Sequence, residues 1–250
     1  MKTLSLVILS LFFNLPVYAT NATNAENTQN AGIHAFRLNS GSTEALSREN
    51  GAGFYNQLSA EIFKRMNIKL SFIRLPSKRS LIHANKGIDD GNIARVKGME
   101  KKWANLMRVP ESVLTWEFTA YSNDGNIKLN GWESLKPYSV GHIRGWQIYK
   151  KKAVIAKSVI EANNTAQLFE LLKTGRIDIA LFERFQAPYW FNKIGFSAKA
   201  ASTPLAVKPL YIYLHKKHKK LIPKMAKVIS EIKLDGTYKK IFDRTLNPNK

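Results

Sequence analysis

Asn164-Thr165-Ala166-Gln167-Leu168-Phe169-Glu170-Leu171-Leu172-Lys173-Thr174-Gly175-Arg176-Ile177-Asp178-Ile179-Ala180-Leu181-Phe182 is the stretch that decides the fold class. Asn164 is a good helix N-cap, Gln167 three residues on closes a capping box, and Gly175 supplies the residue at which a helix stops. Ile177 to Phe182 is apolar except for Asp178, the pattern of a strand buried on both faces. A capped helix leading into such a strand is the building unit of an α/β protein.

The same alternation extends outward. Upstream, a strand over Tyr138–Ile143 meets a break at Gly145-Trp146 and then a cationic helix. In the first half, Leu58, Ile62, Phe63 and Met66 share one helix face, and Ile68 to Ile73 alternates as a half-buried strand does. A helix is predicted over Ser77–Lys86, ended by Gly87, with a turn at Asp89-Asp90-Gly91. Near the end Leu221, Met225, Val228, Ile229 and Ile232 trace a helix stripe, and Asp235-Gly236 turns the chain into a final short helix. Two αβ blocks stand side by side, with no internal repeat.

A chain of 250 residues, 44% of them hydrophobic, can bury a core, which excludes a disordered tail and a stapled miniprotein. The absence of cysteine excludes disulfides, thiolate nucleophiles and Cys-based metal sites. Lys plus Arg number 39 against 18 acids, a net charge of +21. A polyanion, an anionic membrane surface and small anionic ligands are the partners such a balance admits. Lys2, the apolar run Leu4–Phe13 and Val17-Tyr18-Ala19 read as a signal peptide over residues 1–19, cleaved after Ala19. The polar residues 20–31 read as a flexible leader. Export makes the mature protein, at +20, soluble and periplasmic, and removes nucleic acid from the partners. Residues 216–250 carry a net +8, so much of the excess is expected on the final helices instead of around a ligand cleft.

Several segments occur in an order that resembles the bacterial periplasmic solute-binding proteins of extracellular family 3, which serve amino-acid ABC transporters. They are Gly53-Phe54 leading into Glu61-Ile62-Phe63-Lys64-Arg65-Met66, Leu75-Pro76-Ser77-Lys78-Arg79, Gly87-Ile88-Asp89-Asp90-Gly91 and Asn105-Leu106-Met107-Arg108-Val109-Pro110. The second half adds Val140-Gly141-His142-Ile143-Arg144-Gly145, Lys173-Thr174-Gly175-Arg176-Ile177-Asp178 and Leu234-Asp235-Gly236-Thr237-Tyr238-Lys239-Lys240-Ile241. The resemblance covers most of the mature chain. It implies an α/β fold of the type II periplasmic-binding-protein kind, a two-lobed clamp closing on a ligand, with lobe 1 at 32–116 plus 215–250 and lobe 2 at 117–214. Trp116–Tyr121 and Lys208–Leu214 are the candidate crossing regions. The implied role is capture of a small polar ligand, amino-acid-like or anionic, by a monomer that presents it to an inner-membrane ABC transporter permease or a sensor, with no cofactor.

In amino-acid-binding members an arginine of lobe 1 forks the α-carboxylate and an acid of lobe 2 takes the α-amino group. By resemblance Arg95 is the carboxylate binder, with Arg79 of the Leu-Pro-x-x-Arg turn a second candidate. Glu183, five residues after Asp178, stands where the family usually has aspartate. The alternative for Glu183 is a solvated residue at a helix N-terminus. Arg144-Gly145-Trp146-Gln147 joins a strand to a helix, where backbone N–H groups can receive an anion. Trp146, Phe54 and Tyr55 are candidate walls of the cleft. The family's aromatic after the first strand has no match among Asn39-Ser40-Gly41-Ser42-Thr43.

Signs of catalysis are few: the sequence has no Gly-x-Ser-x-Gly elbow, no His-Glu-x-x-His and no phosphate-binding glycine loop. His215 and His218 are surrounded by lysines, which disfavours a metal, and His142 in an apolar strand reads as a packed core residue. The reading is a binding protein, not an enzyme. Two alternatives stay open: a cofactor-free lyase of the cyclohexadienyl dehydratase type, which shares the clamp fold, and a cationic protein that binds envelope polyanions.

Overall fold

The computed structural model describes residues 35–125, 127 and 129–246. The expected signal peptide and leader lie outside the described residues. Strand β1 (Phe36–Ser40) is followed by α1 (Phe54–Met66), where Leu58, Ile62, Phe63 and Met66 are all buried as their spacing demands. Strand β2 (Leu70–Arg74), α2 (Ser77–Lys86) and β3 (Gly91–Val96) complete the first block. Helix α2 has the predicted bounds. Gly87 adopts φ +73°, which lets its own N–H and that of Ile88 close onto the carbonyls of Ala84 and His83.

After the 17-residue β4 (Leu106–Ser122) comes the second block: β5 (Ser139–Ile143), α3 (Gln147–Lys152), β6 (Ser158–Ala162), α4 (Thr165–Lys173), β7 (Ile179–Glu183) and α5 (Ala187–Ile194). The cap of α4 forms, with Asn164 Oδ1 accepting the Gln167 N–H at 2.9 Å. The Gln167 side chain accepts the N–H of Asn163, one residue earlier than a standard box. Short β8 (Lys199–Ala200), then β9 (Ala206–His215), α6 (Ile222–Leu234) and α7 (Thr237–Leu246) end the described chain. None of the described helices is long and apolar enough to cross a membrane.

The described strands form one sheet in the order β2-β1-β3-β9-β4-β7-β5-β6, with β8 on β4. β1 is parallel to β2 and β3, and β5 is parallel to β6 and β7. Between these parallel blocks lies the antiparallel pair β4 and β9. One end of β4 pairs with Tyr213–His215 of β9, and the other, Phe118–Tyr121, pairs with β7. β4 and β9 are thus the crossing strands. The first block has two cores, a main one built around Leu38, Leu58, Ile93, Ile212 and Ile229 and a smaller one of Leu81, Ala84, Leu106 and Tyr213 where α2 packs on β4 and β9. The second has two, because β7 is covered on both faces: Ile179 and Leu181 enter one, Ala180 and Phe182 the other.

One irregularity in this sheet determines where Arg95 points. In the β3–β9 ladder Asn92 pairs with Tyr213 and Arg95 with Tyr211, so β3 carries one extra residue. Ala94 absorbs it by adopting φ +69°, a left-handed conformation uncommon outside glycine. In a regular strand, residues three apart point to opposite faces. The bulge brings Asn92 and Arg95 to the same side instead, where Arg95 Nε donates to Asn92 Oδ1. Ala94→Gly is expected to stabilise the fold by up to about 1 kcal/mol and Ala94→Val to destabilise it by about 1–2 kcal/mol, since a β-branched side chain opposes positive φ. Urea unfolding checks this, and equal stability of the valine variant would disprove the strained bulge.

Candidate functional site

The site begins with a buried carboxylate. Asp89, Asn39 and Asn92 are each fully buried. An ionised carboxylate accepts only, so Asp89 obliges its neighbours to donate: Arg37 Nε at 3.0 Å and Asn39 Nδ2 at 2.7 Å. With its amide nitrogen turned to Asp89, Asn39 presents Oδ1 to Asn92 Nδ2. Asn92 in turn presents its own Oδ1 to Arg95. Each amide orientation dictates the next, ending with an acceptor aimed at the guanidinium.

Ser77 and Ser80 at the start of α2 hold the rest of Arg95. Nη1 donates to Ser77 Oγ at 3.0 Å, and Nη2 donates to Ser80 Oγ at 2.6 Å and to the Ser77 carbonyl at 3.2 Å. Gly41 makes room, since a Cβ there would stand 2.4 Å from Nη2. Desolvation lowers the pKa of Arg95 to about 10, which leaves it charged at neutral pH. Among the described residues no carboxylate stands within ion-pair distance of it.

Arg95 faces a cleft of about 930 Å³. Gly41, Ser42, Thr43 and Ser77 line one side, Trp116 and Lys208 come from the crossing strands, and Arg144, Gly145, Trp146, Lys151 and Lys152 line the other. Trp146 belongs to wall and core at once. Its ring stacks at 5.2 Å on Phe182, 5.8 Å on Tyr149 and 5.6 Å on Trp116. Trp116 Nε1 donates to the Tyr55 hydroxyl at 3.2 Å, tying the wall to the core of the first block. Six cations line the cleft, namely Arg95, Lys97, Arg144, Lys151, Lys152 and Lys208, and no acid does among the described residues. These are in addition to the +8 carried by residues 216–250, so the cleft has a cationic lining of its own.

Arg95, Arg144, Gly145 and Trp146 are brought together as lining residues. The other candidates are not. Phe54 and Tyr55 are fully buried, Phe54 against Tyr238 and Phe242, because α1 turns its apolar face inward from its first residue. Arg79 is exposed on α2, outside the lining. The backbone donors expected around Arg144 are partly engaged already, Arg144 N–H with the Ala162 carbonyl and Trp146 N–H with that of Ile143. Glu183 is neither solvated nor in the cleft lining. It ends β7 fully buried and accepts the N–H of Glu117 at 3.3 Å and of Phe185 at 3.1 Å. Sequence reading missed Asn39, Asn92, Gly41, Ser77 and Trp116 as site residues. His142 is a buried core histidine, as expected.

No protein-family profile matches the chain. It is 23% identical to an uncharacterized protein of Shewanella oneidensis over 185 residues, 70% of this chain and 69% of that protein. Among solved structures it is similar to the ligand-binding core of GluR0 in complex with L-glutamate, with a TM-score of 0.73 and 12% identity over 86% of this chain and 99% of that one. It is also similar to an ancestral cationic amino acid solute-binding protein, AncCDT-1, with a TM-score of 0.70 and 20% identity over 85% and 95% of the two chains. At such identities the likeness is one of fold, and the fold is the two-lobed type II periplasmic-binding-protein architecture.

Burial pushes the Glu183 carboxyl up to about 7, against the opposing pull of its backbone donors. A carboxyl with a raised folded pKa favours the folded state at acid pH, and that contribution is lost as pH rises through about 7. Relative to wild type, Glu183→Gln is therefore expected to gain on the order of 3 kcal/mol of stability between pH 4.5 and 8. Denaturant unfolding across that range measures the difference, and parallel pH profiles would contradict it.

Proposed function

We propose that this chain is an exported solute-binding protein that captures a small polar ligand, amino-acid-like or anionic, in the cleft between its lobes. The observation that carries the reading is Arg95, a charged guanidinium held by the Asp89–Asn39–Asn92 relay at a cleft of about 930 Å³ with no carboxylate partner of its own. Four of its five N–H groups are engaged with Asn92, Ser77 and Ser80, and its charge together with the remaining Nη1 N–H can receive a carboxylate or phosphoryl group. Preorganisation reduces the ordering cost of binding. The lobes are 32–116 plus 215–250 and 117–214, with β4 and β9 as the hinge. Closure about two strands makes ligand capture and conformational change one event. The fold likeness to binding proteins supports this role by analogy. The protein is a periplasmic monomer with no cofactor and no nucleic-acid partner, delivering its ligand to an inner-membrane ABC transporter permease or sensor.

Thermal unfolding scanned against amino acids, dicarboxylates and phosphorylated compounds tests the reading. A ligand at about 100 times its Kd adds about 2.7 kcal/mol, a rise in Tm of roughly 5–10 °C for a chain of this size. Arg95→Ala is expected to abolish the rise. Gly41→Ala, whose Cβ would collide with the Arg95 guanidinium and with Ser80 and the Ser77 backbone that hold it, is expected to reduce it strongly. Shifts confined to compounds without a carboxylate or phosphoryl group would sink the Arg95 assignment, and turnover of prephenate or arogenate would move the protein to the lyases.

A further inference from the structure

The charge lining the cleft is one-sided. A zwitterionic amino acid needs a counter-charge for its ammonium as well as for its carboxylate. The acid in a position to serve, Glu183, is buried outside the lining, with two backbone N–H groups already on its carboxylate. The acids nearby are engaged elsewhere: Glu117 with Arg184 at 2.6 Å, Glu44 with Lys193 at 2.9 Å, and Glu161 with Arg144 at 3.5 Å. Arg95, Lys97, Lys151, Lys152 and Lys208 form no ion pair among the described residues. Lys97, Lys151, Lys152 and Lys208 are exposed at the cleft, while Arg95 is partly buried within it. An anion entering this space gains from every one of these charges, and an ammonium group is repelled by all of them in a region where the aromatic wall thins the screening solvent.

From this we infer that the ligand is a compact dianion carrying no ammonium group, a dicarboxylate or a phosphorylated carboxylate, rather than an α-amino acid. One anionic group is received by Arg95. The second is neutralised by the lysines across the cleft, chiefly Lys151 and Lys152 of α3. The inference rests on the solute-binding reading above and narrows its ligand.

Matched pairs that differ only by the amino group test it: glutarate against L-glutamate, succinate against L-aspartate, and 3-phosphonooxypropanoate against phosphoserine. Calorimetric titration of the purified protein is expected to show, in at least one pair, the dianion bound at least tenfold more tightly than its amino counterpart. The double variant Lys151→Ala/Lys152→Ala, which alters exposed side chains only, is expected to weaken that dianion at least tenfold with its unliganded Tm unchanged. Tighter binding of the amino-bearing members would overturn the inference and leave the binding function intact. So would Arg95-dependent binding confined to compounds outside the pairs, or a double variant that binds the dianion as wild type does. If no compound in the wider thermal scan binds at all, the solute-binding reading itself fails.

Discussion

The buried carboxylate of Asp89 is the constraint on which the first block of the structure is arranged. A charge removed from water must be met by hydrogen-bond donors, and those available are Arg37 and Asn39 on β1, with Asn92 on β3 joined through Asn39. The same requirement that ties β1 to β3 also sets the amide of Asn92, and with it the position of Arg95. Structural satisfaction and site construction are one network here. Its last step depends on the bulge at Ala94, without which Arg95 points to the other face of the sheet.

The two blocks meet through contacts of different strength. The apolar contact is substantial: Trp116, on a crossing strand, stacks against Trp146 of the second block while hydrogen-bonding Tyr55 of the first. The polar contacts are between the segment after β1 and α5, where Glu44 meets Lys193 at 2.9 Å and Tyr189 at 2.7 Å and Thr43 bonds Gln186. Half-exposed pairs of this kind are worth up to about 1 kcal/mol each. Phe185, just after β7, adds a second aromatic contact, edge-on to Phe242 of α7 at 5.2 Å and packed against the main core of the first block.

Charge takes on a more definite meaning once the chain is folded. The net +21 is partly a lysine-rich surface over residues 216–220 and the later helices, where solvent at physiological salt limits its reach to about 8 Å. Lys217 and His218 there turn back onto Asp90, at 2.7 Å each. The lining of the cleft is a separate population of cations drawn from β3 and the turn after it, α3, β9 and the loop after β5. In sequence these residues are scattered and indistinguishable from the rest.

Much of the architecture was legible without coordinates, because it follows from local physics. The bounds of α2, the glycine that ends it, the Asn164 cap and the double-sided burial of β7 rest on turn chemistry and periodicity, which act over a few residues. Arg95 was singled out through resemblance to a family, and Trp146 because apolar side chains wall most small-ligand clefts; both line the cleft. Phe54, Tyr55 and Glu183 were misplaced because a sequence shows that a residue is apolar or acidic, but not which side of a packed layer it faces. The Asp89–Asn39–Asn92–Arg95 relay joins residues up to 50 or more positions apart through strand register. The cationic lining is assembled from elements that only the crossing strands bring together. Composition determined how much positive charge the protein carries. Tertiary structure decided where it acts, because register and burial are set by contacts between distant segments.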